Sequence, residues 1–339
     1  MINASVGIVV IGRNEGDRLI RCLHSLPQSA RIVYVDSGST DGSVERARAL
    51  GFEVLPLSSE TPFSAARARN AGFQFLVSGP SSPDYIQMVD GDCELDPAWI
   101  DHAVLALAAE PTLAIVFGRC RERYPTASVY NALCDDEWDG PIGLVDSCGG
   151  IAMVRRTAFD DAGGFNETLI AGEEPDLCLR LSRKKWSVRR IAAEMNFHDA
   201  AITKFKQWWV RTRRSGFAYA EHVMIHRRHS NPNWIRSLIS ILFWAAAIPA
   251  LIFGAFGLSV ITDEPSLNLL SLGLLLLYPV QWLRMVLRKR QLGATLSFSR
   301  CYAALMLAGK FAQLGGIVRA GIRYTLKGQM KLIEYRDGK

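Results

Sequence analysis

The sequence has no C-x-x-C pair among its seven scattered cysteines, and their odd number leaves at least one unpaired. Both features argue against a disulfide framework and suit a reducing compartment, so Cys22, Cys93, Cys120, Cys134, Cys148, Cys178 and Cys301 are read as packing residues. A Gly-rich, Lys-bearing phosphate loop is also missing after the first apolar run, which continues as "VIGRNEGDRL". That omission weighs against a sugar nucleotidyltransferase. There is no internal repeat and no low-complexity tract, and an apolar fraction of 49% does not suit a disordered chain. The run Val6–Ile11 is too short, and too soon followed by Arg13 and Glu15, for a signal peptide, so this part of the chain is expected to stay in the cytoplasm.

Acidic residues become scarce partway along. Residues 1–200 carry 19 basic and 28 acidic side chains, whereas 201–339 carry 20 and 5, so the two parts stand near −9 and +15. A basic segment can meet nucleic acid or anionic lipid, and its long apolar runs favour lipid; no nucleic-acid partner is expected. Leu238–Ile261 and Pro265–Leu283 contain no charge at all. At a rise of about 1.5 Å per residue each can cross a hydrocarbon core of roughly 30 Å. Buried core helices are the alternative. Arg227, Arg228 and Arg236 precede the first run, Arg284, Arg288, Lys289 and Arg290 follow the second, and only Asp263 and Glu264 carry charge in the link. By the positive-inside rule the outer flanks are cytoplasmic and the pair forms a transmembrane hairpin. The stretch Leu296–Lys327, interrupted by Arg300, Lys310, Arg319 and Arg323, reads as an amphipathic helix on the inner membrane surface.

Before residue 200 short β-branched runs alternate with helical patterns, the rhythm of βαβ units and of a doubly wound, mostly parallel α/β sheet. Ligands bind such sheets at the carboxyl ends of strands. Those ends carry Arg13-Asn14-Glu15, Asp36-Ser37-Gly38-Ser39 and Asp90-Gly91-Asp92. The expected organisation is 1–202 as the α/β domain, 203–236 as a basic aromatic interfacial helix, 237–290 as the hairpin and 291–339 as a basic amphipathic region.

Asp90-Gly91-Asp92 can turn two carboxylates toward one hard cation, although a D-x-D by itself describes a solvated turn equally well. The segment at Asp36 can be an N-cap, and Arg67 and Arg69, just inside a helix start, suit either a phosphate or a solvated basic face. In "GEEPDLCLRL", Glu173, Glu174 and Asp176 fit a helix dipole as readily as a catalytic site. Asp135, Asp136, Glu137, Trp138 and Asp139 form an acidic segment that shapes a pocket or is merely solvated. His198 reads as a structural histidine, and Trp208 and Trp209, among basic residues, as anchors at a bilayer surface.

In order, "VVIGRNEGDRL", "VYVDSGSTDGS", "ARARNAG", "MVDGDCELDP", "GGIAMVRRTAFDDAGGFNE" and "AGEEPDLCLRL" resemble the family 2 glycosyltransferases, inverting enzymes of GT-A fold. The resemblance covers roughly residues 5–200. It implies a nucleotide-sugar donor (a UDP- or GDP-sugar) held by Asn14, Glu15, Asp36, Arg69 and Asp90, although Ser37 replaces the second carboxylate of the family's usual Asp-Asp pair. It further implies a divalent metal, Mg²⁺ or Mn²⁺, on Asp90 and Asp92 with His198 as a further contact, and Glu174 as the catalytic base. Glu173, Trp138, Trp208 and Trp209 would meet the acceptor. Gln207 to Arg211 departs from the spacing of the processive members' Q-x-x-R-W motif. The expected whole is an inner-membrane enzyme that transfers a sugar to a lipid-linked or glycan acceptor on the cytoplasmic face. A non-catalytic membrane adaptor with a degenerate transferase domain is the competing expectation.

Overall fold

The structure is a computed structural model, and it describes residues 4–79, 81–169, 171–227 and 230–326. Arg228, Lys327 and the rest of the 291–339 segment beyond 326 lie outside the described residues. The chain divides into two compact units, Met1–Ile202 and Thr203–Lys339.

In the first unit the chain runs β1 (Val6–Gly12), α1 (Asp17–His24), β2 (Arg31–Asp36), α2 (Ser43–Ala49), β3 (Glu53–Pro56), α3 (Ala65–Val77) and β4 (Tyr85–Asp90). It continues through β5 (Cys93–Leu95), α4 (Trp99–Ala109), β6 (Leu113–Glu122), α5 (Val129–Glu137), β7 (Gly143–Leu144) and β8 (Ala152–Arg155) to α6 (Arg156–Ala162), α7 (Glu173–Arg183) and β9 (Ser187–His198). β1, β2 and β4 are aliphatic and buried almost end to end, as strands covered on both faces must be. The sheet order is β3-β2-β1-β4-β8-β6-β9-β5, with β7 beside β9. β1 to β4 are mutually parallel, β6 and β9 are parallel, and β8 runs antiparallel between β4 and β6.

Helices cover both faces. Leu19, Leu23, Trp99 and Leu107 pack on one side of the sheet, and Phe73, Leu76, Phe159, Leu177 and Leu181 on the other. The parallel register sets Gly12 beside Asp36 and Ile11 beside Asp90, so the carboxyl ends of β1, β2 and β4 finish level and their loops share one rim.

In the second unit α8 (Phe205–His226) ends at Arg227, whose φ of 47° breaks the helix. α9 (Pro232–Leu242) starts on an Asn231 cap, whose side chain accepts from the Asn233 amide at 2.8 Å, with a proline in the first turn. It continues through a π turn, Phe243–Ala247, into α10 (Ile248–Thr262). Pro249 lacks the N–H an uninterrupted α-helix needs and crowds the preceding turn; the wider π turn accommodates it. α11 (Pro265–Gln291) and α12 (Leu296–Leu326) complete the unit.

Among the described residues, three helices are long and apolar enough to cross a membrane: Pro232–Thr262, Pro265–Gln291 and Leu296–Leu326. The first starts ahead of the sequence expectation of 238, because the Asn231 cap and the adjoining proline set its beginning. The third differs from expectation more. Its interrupting charges suggested a surface helix, yet it is continuous and meets the length and hydropathy of a span. Phe253, Ile261 and Leu269 are largely exposed on α10 and α11, as side chains facing hydrocarbon would be.

Candidate active site

The rim gathers around one buried arginine. Arg69, on the first turns of α3, sends Nη2 to Asp90 Oδ1 at 2.9 Å and Nη1 to Glu174 Oε1 at 3.2 Å and Glu173 Oε1 at 3.3 Å. Three carboxylates thus share one guanidinium. Burial alone would lower the Arg69 pKa, but Asp90, Glu174 and Glu173 outweigh it and push it upward. Its Nε is buried with no partner among the described residues.

Glu174 carries the opposite strain. Burial, then the neighbouring Glu173 charge, raise its carboxyl from the usual carboxylate range to about 7, against the pull of Arg69. The third acid of this stretch points elsewhere. Asp176 grips Arg180, one turn further along α7, through Nε and Nη2 at 2.8 Å each. Asp176 and Arg180 stabilise the helix, while Glu173 and Glu174 face Arg69.

Beside this cluster, Asp92 Oδ2 lies 3.0 Å from His198 Nε2. Burial would favour neutral imidazole, but the Asp92 charge and hydrogen bond prevail and raise the His198 pKa well above its ordinary value. Ligand atoms of Asp92, Cys93 and His198 lie within 4.8 Å of one another. Carboxylate, thiol and imidazole converging at this distance could hold a divalent cation. The Trp138 ring stacks on His198, with centroids 4.6 Å apart at 17°. Trp138, His198, Asp90, Cys148, Gly150 and Arg190 help line a cavity of about 500 Å³.

Other candidates play structural parts in this geometry. Asp36 is buried and committed to its turn, accepting from Tyr34 Oη and from the Gly38 and Ser39 amides, all at 2.9 Å. Asn14 ties two rim loops together: its amide donates to Ser39 Oγ at 2.9 Å and its Oδ1 accepts from the Thr40 amide at 2.7 Å. Glu15 pairs with Arg18 at 2.9 Å. Arg67, unlike Arg69, folds back onto the carbonyls of Ser58 and Thr61, at 2.8 Å each. Asp135 and Asp139 are paired with Arg119 and Arg190 at 3.1 Å each, so this segment is braced rather than merely solvated. Trp208 and Trp209 belong to α8 in the second unit. Trp208 is buried near Gly309 of α12, which corrects the expectation that its ring is open to an acceptor sugar.

Three residues of the site are not apparent from sequence. A Cβ on Gly150 would come within 2.0 Å of Arg69 Nη2 and 3.0 Å of Glu174 Oε1, so only glycine lets this loop lie against the pair. The Gly149-Gly150 doublet is its one signal. Cys93 is visible only as the neighbour of Asp92. Arg190, buried in the cavity wall, has no local signature.

A parallel-dominant sheet flanked by helices, with a D-x-D at the end of β4 and an acid-bearing helix meeting it across the rim, defines a GT-A-type transferase domain. The model of glycosyl transferase family 2 matches residues 7–163, most of the first unit, which is similar to the transferases of that family. The chain is 27% identical over 240 residues to the pre-mycofactocin glycosyltransferase of Mycobacterium tuberculosis, covering 67% of this chain and 49% of that one, about half its length. It is 23% identical over 274 residues to the succinoglycan biosynthesis protein ExoA of Rhizobium meliloti, covering 73% and 82%. Among solved structures, the mannosyltransferase PcManGT from Pyrobaculum calidifontis, in complex with GDP-Man and Mn²⁺, shares the fold at TM-score 0.58 and 18% identity, over 93% of this chain and 87% of that one.

Proposed function

We propose that the protein is an inverting hexosyltransferase that moves one sugar from a UDP- or GDP-sugar to a lipid-linked or polysaccharide acceptor at the cytoplasmic face of a membrane. The observation that carries this reading is Glu174, a carboxyl raised to about 7 within hydrogen-bond distance of Arg69, itself bound to the first aspartate of the D-x-D.

Inversion needs one displacement and one base. Glu174 takes the proton from the acceptor hydroxyl, and a carboxyl poised near neutrality can both hold and release it. Arg69 fixes Glu174, Glu173 and Asp90 relative to one another, so the base cannot swing away from the donor side of the cleft. Asp90, Asp92 and His198 are the residues that would hold a divalent cation, whose charge, when bound, offsets that building on the leaving diphosphate. The carboxylates around Arg69 outnumber it, and without added positive charge they would repel a diphosphate. The Trp138–His198 stack offers a flat wall for a pyranose. The exposed apolar side chains of α10 and α11 favour an acceptor delivered at a membrane, and the ExoA relative, named for succinoglycan biosynthesis, supports a glycan product.

The test uses purified protein in detergent or membranes, a panel of UDP- and GDP-hexoses, Mn²⁺ or Mg²⁺, and extracted lipid acceptors. Transfer is expected with one donor, to depend on metal, and to fall by about 10²-fold or more in Glu174→Gln. Transfer at an undiminished rate in that variant refutes the assignment of the base, and donor-independent results across the panel refute the transferase reading.

A further inference from the structure

We propose that Cys93 is a metal ligand, and that through it the Asp92–His198 site takes a thiophilic divalent ion such as Zn²⁺ or Co²⁺ ahead of Mg²⁺. The inference rests on the reading that Asp92 and His198 face a cation, and extends it to the identity of the ion.

Cys93 opens β5 and pairs directly opposite His198 on β9, so the two side chains emerge on the same face of the sheet. Asp92 precedes the strand, in the turn, and is free of the strand's alternation; it reaches the same spot. The Cys93 thiol donates to Asp92 Oδ1 at 3.5 Å, and His198 Nε2 stands 3.0 Å from Asp92 Oδ2. With metal–sulfur bonds of about 2.3 Å and metal–nitrogen and metal–oxygen bonds of about 2.0–2.2 Å, a tetrahedral ion separates its sulfur and oxygen ligands by about 3.6 Å and its nitrogen and oxygen ligands by about 3.4 Å. The Cys93 separation is close to the first of these; His198 meets the other Asp92 oxygen at the shorter distance of a direct hydrogen bond, which an ion would replace by moving the two groups slightly apart.

The surroundings support the same ion. Cys120 on β6 adds a second sulfur beside His198, one of the influences that raise its pKa, and is itself held by Asn196 Nδ2, which donates to Cys120 Sγ at 3.3 Å. A thiolate, an imidazole and a carboxylate form a borderline-soft donor set, poorly matched to Mg²⁺, which prefers oxygen and water. On binding, the Cys93 thiol and the Nε2–H that His198 donates to Asp92 both release their protons to solvent, so that thiolate sulfur and the freed Nε2 lone pair take up the ion; its charge has to offset the burial and the Asp92 and Asp90 charges that push the Cys93 thiol upward.

The experiment titrates the full-length protein in detergent with Co²⁺ and follows the sulfur-to-cobalt charge-transfer absorption. The wild type is expected to show the band, to keep it under excess Mg²⁺ and to lose it to Zn²⁺, giving a Zn²⁺ preference over Mg²⁺ on the order of a hundredfold or more. Cys93→Ser is expected to lose the band, and Cys301→Ser, at an exposed cysteine, to keep it. No band in the wild type overturns the proposal without any variant having to fold, as does a band that survives in Cys93→Ser. Sugar turnover is not the readout, so a protein that shows the band but transfers nothing refutes the proposed function and leaves the ligand assignment standing.

Discussion

Glu174 keeps its proton to about pH 7 because burial removes the water that would stabilise its charge and Glu173 adds a second negative charge beside it. If Glu174 is the base, the transfer rate rises with pH through about 7 and the rise disappears in Glu174→Gln, which a pH–rate profile checks. Stability moves the other way. The unfolded carboxyl ionises near 4.5 and the folded one near 7, so the folded state holds the extra proton between those values. The contribution to stability is complete below the unfolded value and is lost as pH rises through the folded one. Glu174→Gln, which never ionises, is therefore expected to melt a few degrees above wild type near pH 8 and to lose that margin near pH 5, measured by thermal unfolding. A second residue acts by absence. Gly150→Ala drives a methyl group against Arg69 and Glu174, and because Arg69 is buried and held by three acids it has little room to yield. Transfer is expected to drop by about 10-fold or more, at a cost of about 1–3 kcal/mol in stability. Full activity in this variant would show that the pair can shift without consequence.

At the scale of elements, the alternation of strand and helix up to β4 is written locally, in β-branched runs and polar strand ends, and the doubly wound sheet follows from it. What comes after is less legible. β8 inserts antiparallel between β4 and β6, and its four residues, Ala152–Arg155, carry no mark of direction. The site divides in the same way. Asp90, Asp92, Glu173 and Glu174 stand out as acids in small motifs, but the meeting of Asp90, Glu173 and Glu174 at Arg69 spans 21, 104 and 105 residues and belongs to the tertiary fold. Trp208 misleads because an aromatic beside basic residues reads alike whether it faces a sugar, a bilayer or another helix. The contact of α8 with α12 is equally hidden from sequence. A Cβ on Gly216 would lie 2.1 Å from the Gln313 carbonyl oxygen, and one on Gly316 2.1 Å from that of Arg213, so the two helices cross backbone against backbone. Gly216→Leu is expected to force them apart and destabilise this unit by about 3 kcal/mol or more, seen as a lower melting temperature in detergent. An unchanged melt would mean that the crossing contributes little.

For the whole molecule, the charge asymmetry and the α8–α12 crossing bear jointly on how many helices cross the membrane. α10 and α11 turn at Asp263 and Glu264, and Arg288, Lys289 and Arg290 crowd the last turn of α11. By the positive-inside rule that last turn is expected on the cytoplasmic side and the acidic turn outside. A third crossing by α12 would carry Arg319 and Arg323 outward, against the same rule. α8, which carries Lys206, Arg211, Arg213 and Arg214, is poorly suited to hydrocarbon, and α12 lies against it along Gly309, Ala312 and Gly316. Phe311, Val318 and Ile322 share the opposite, exposed face of α12, the arrangement of a helix lying in the headgroup layer. The hairpin is therefore expected to cross and α12 to remain on the cytoplasmic side, despite having the length and hydropathy of a span. Single cysteines at Glu264, Gly293 and Tyr324, each in a Cys301→Ser background and probed in intact cells with a membrane-impermeant maleimide, separate the alternatives. Labelling is expected at position 264 alone; labelling at 324 as well would establish three crossings, and labelling at 293 without 264 would invert the orientation and remove the catalytic domain from the cytoplasm.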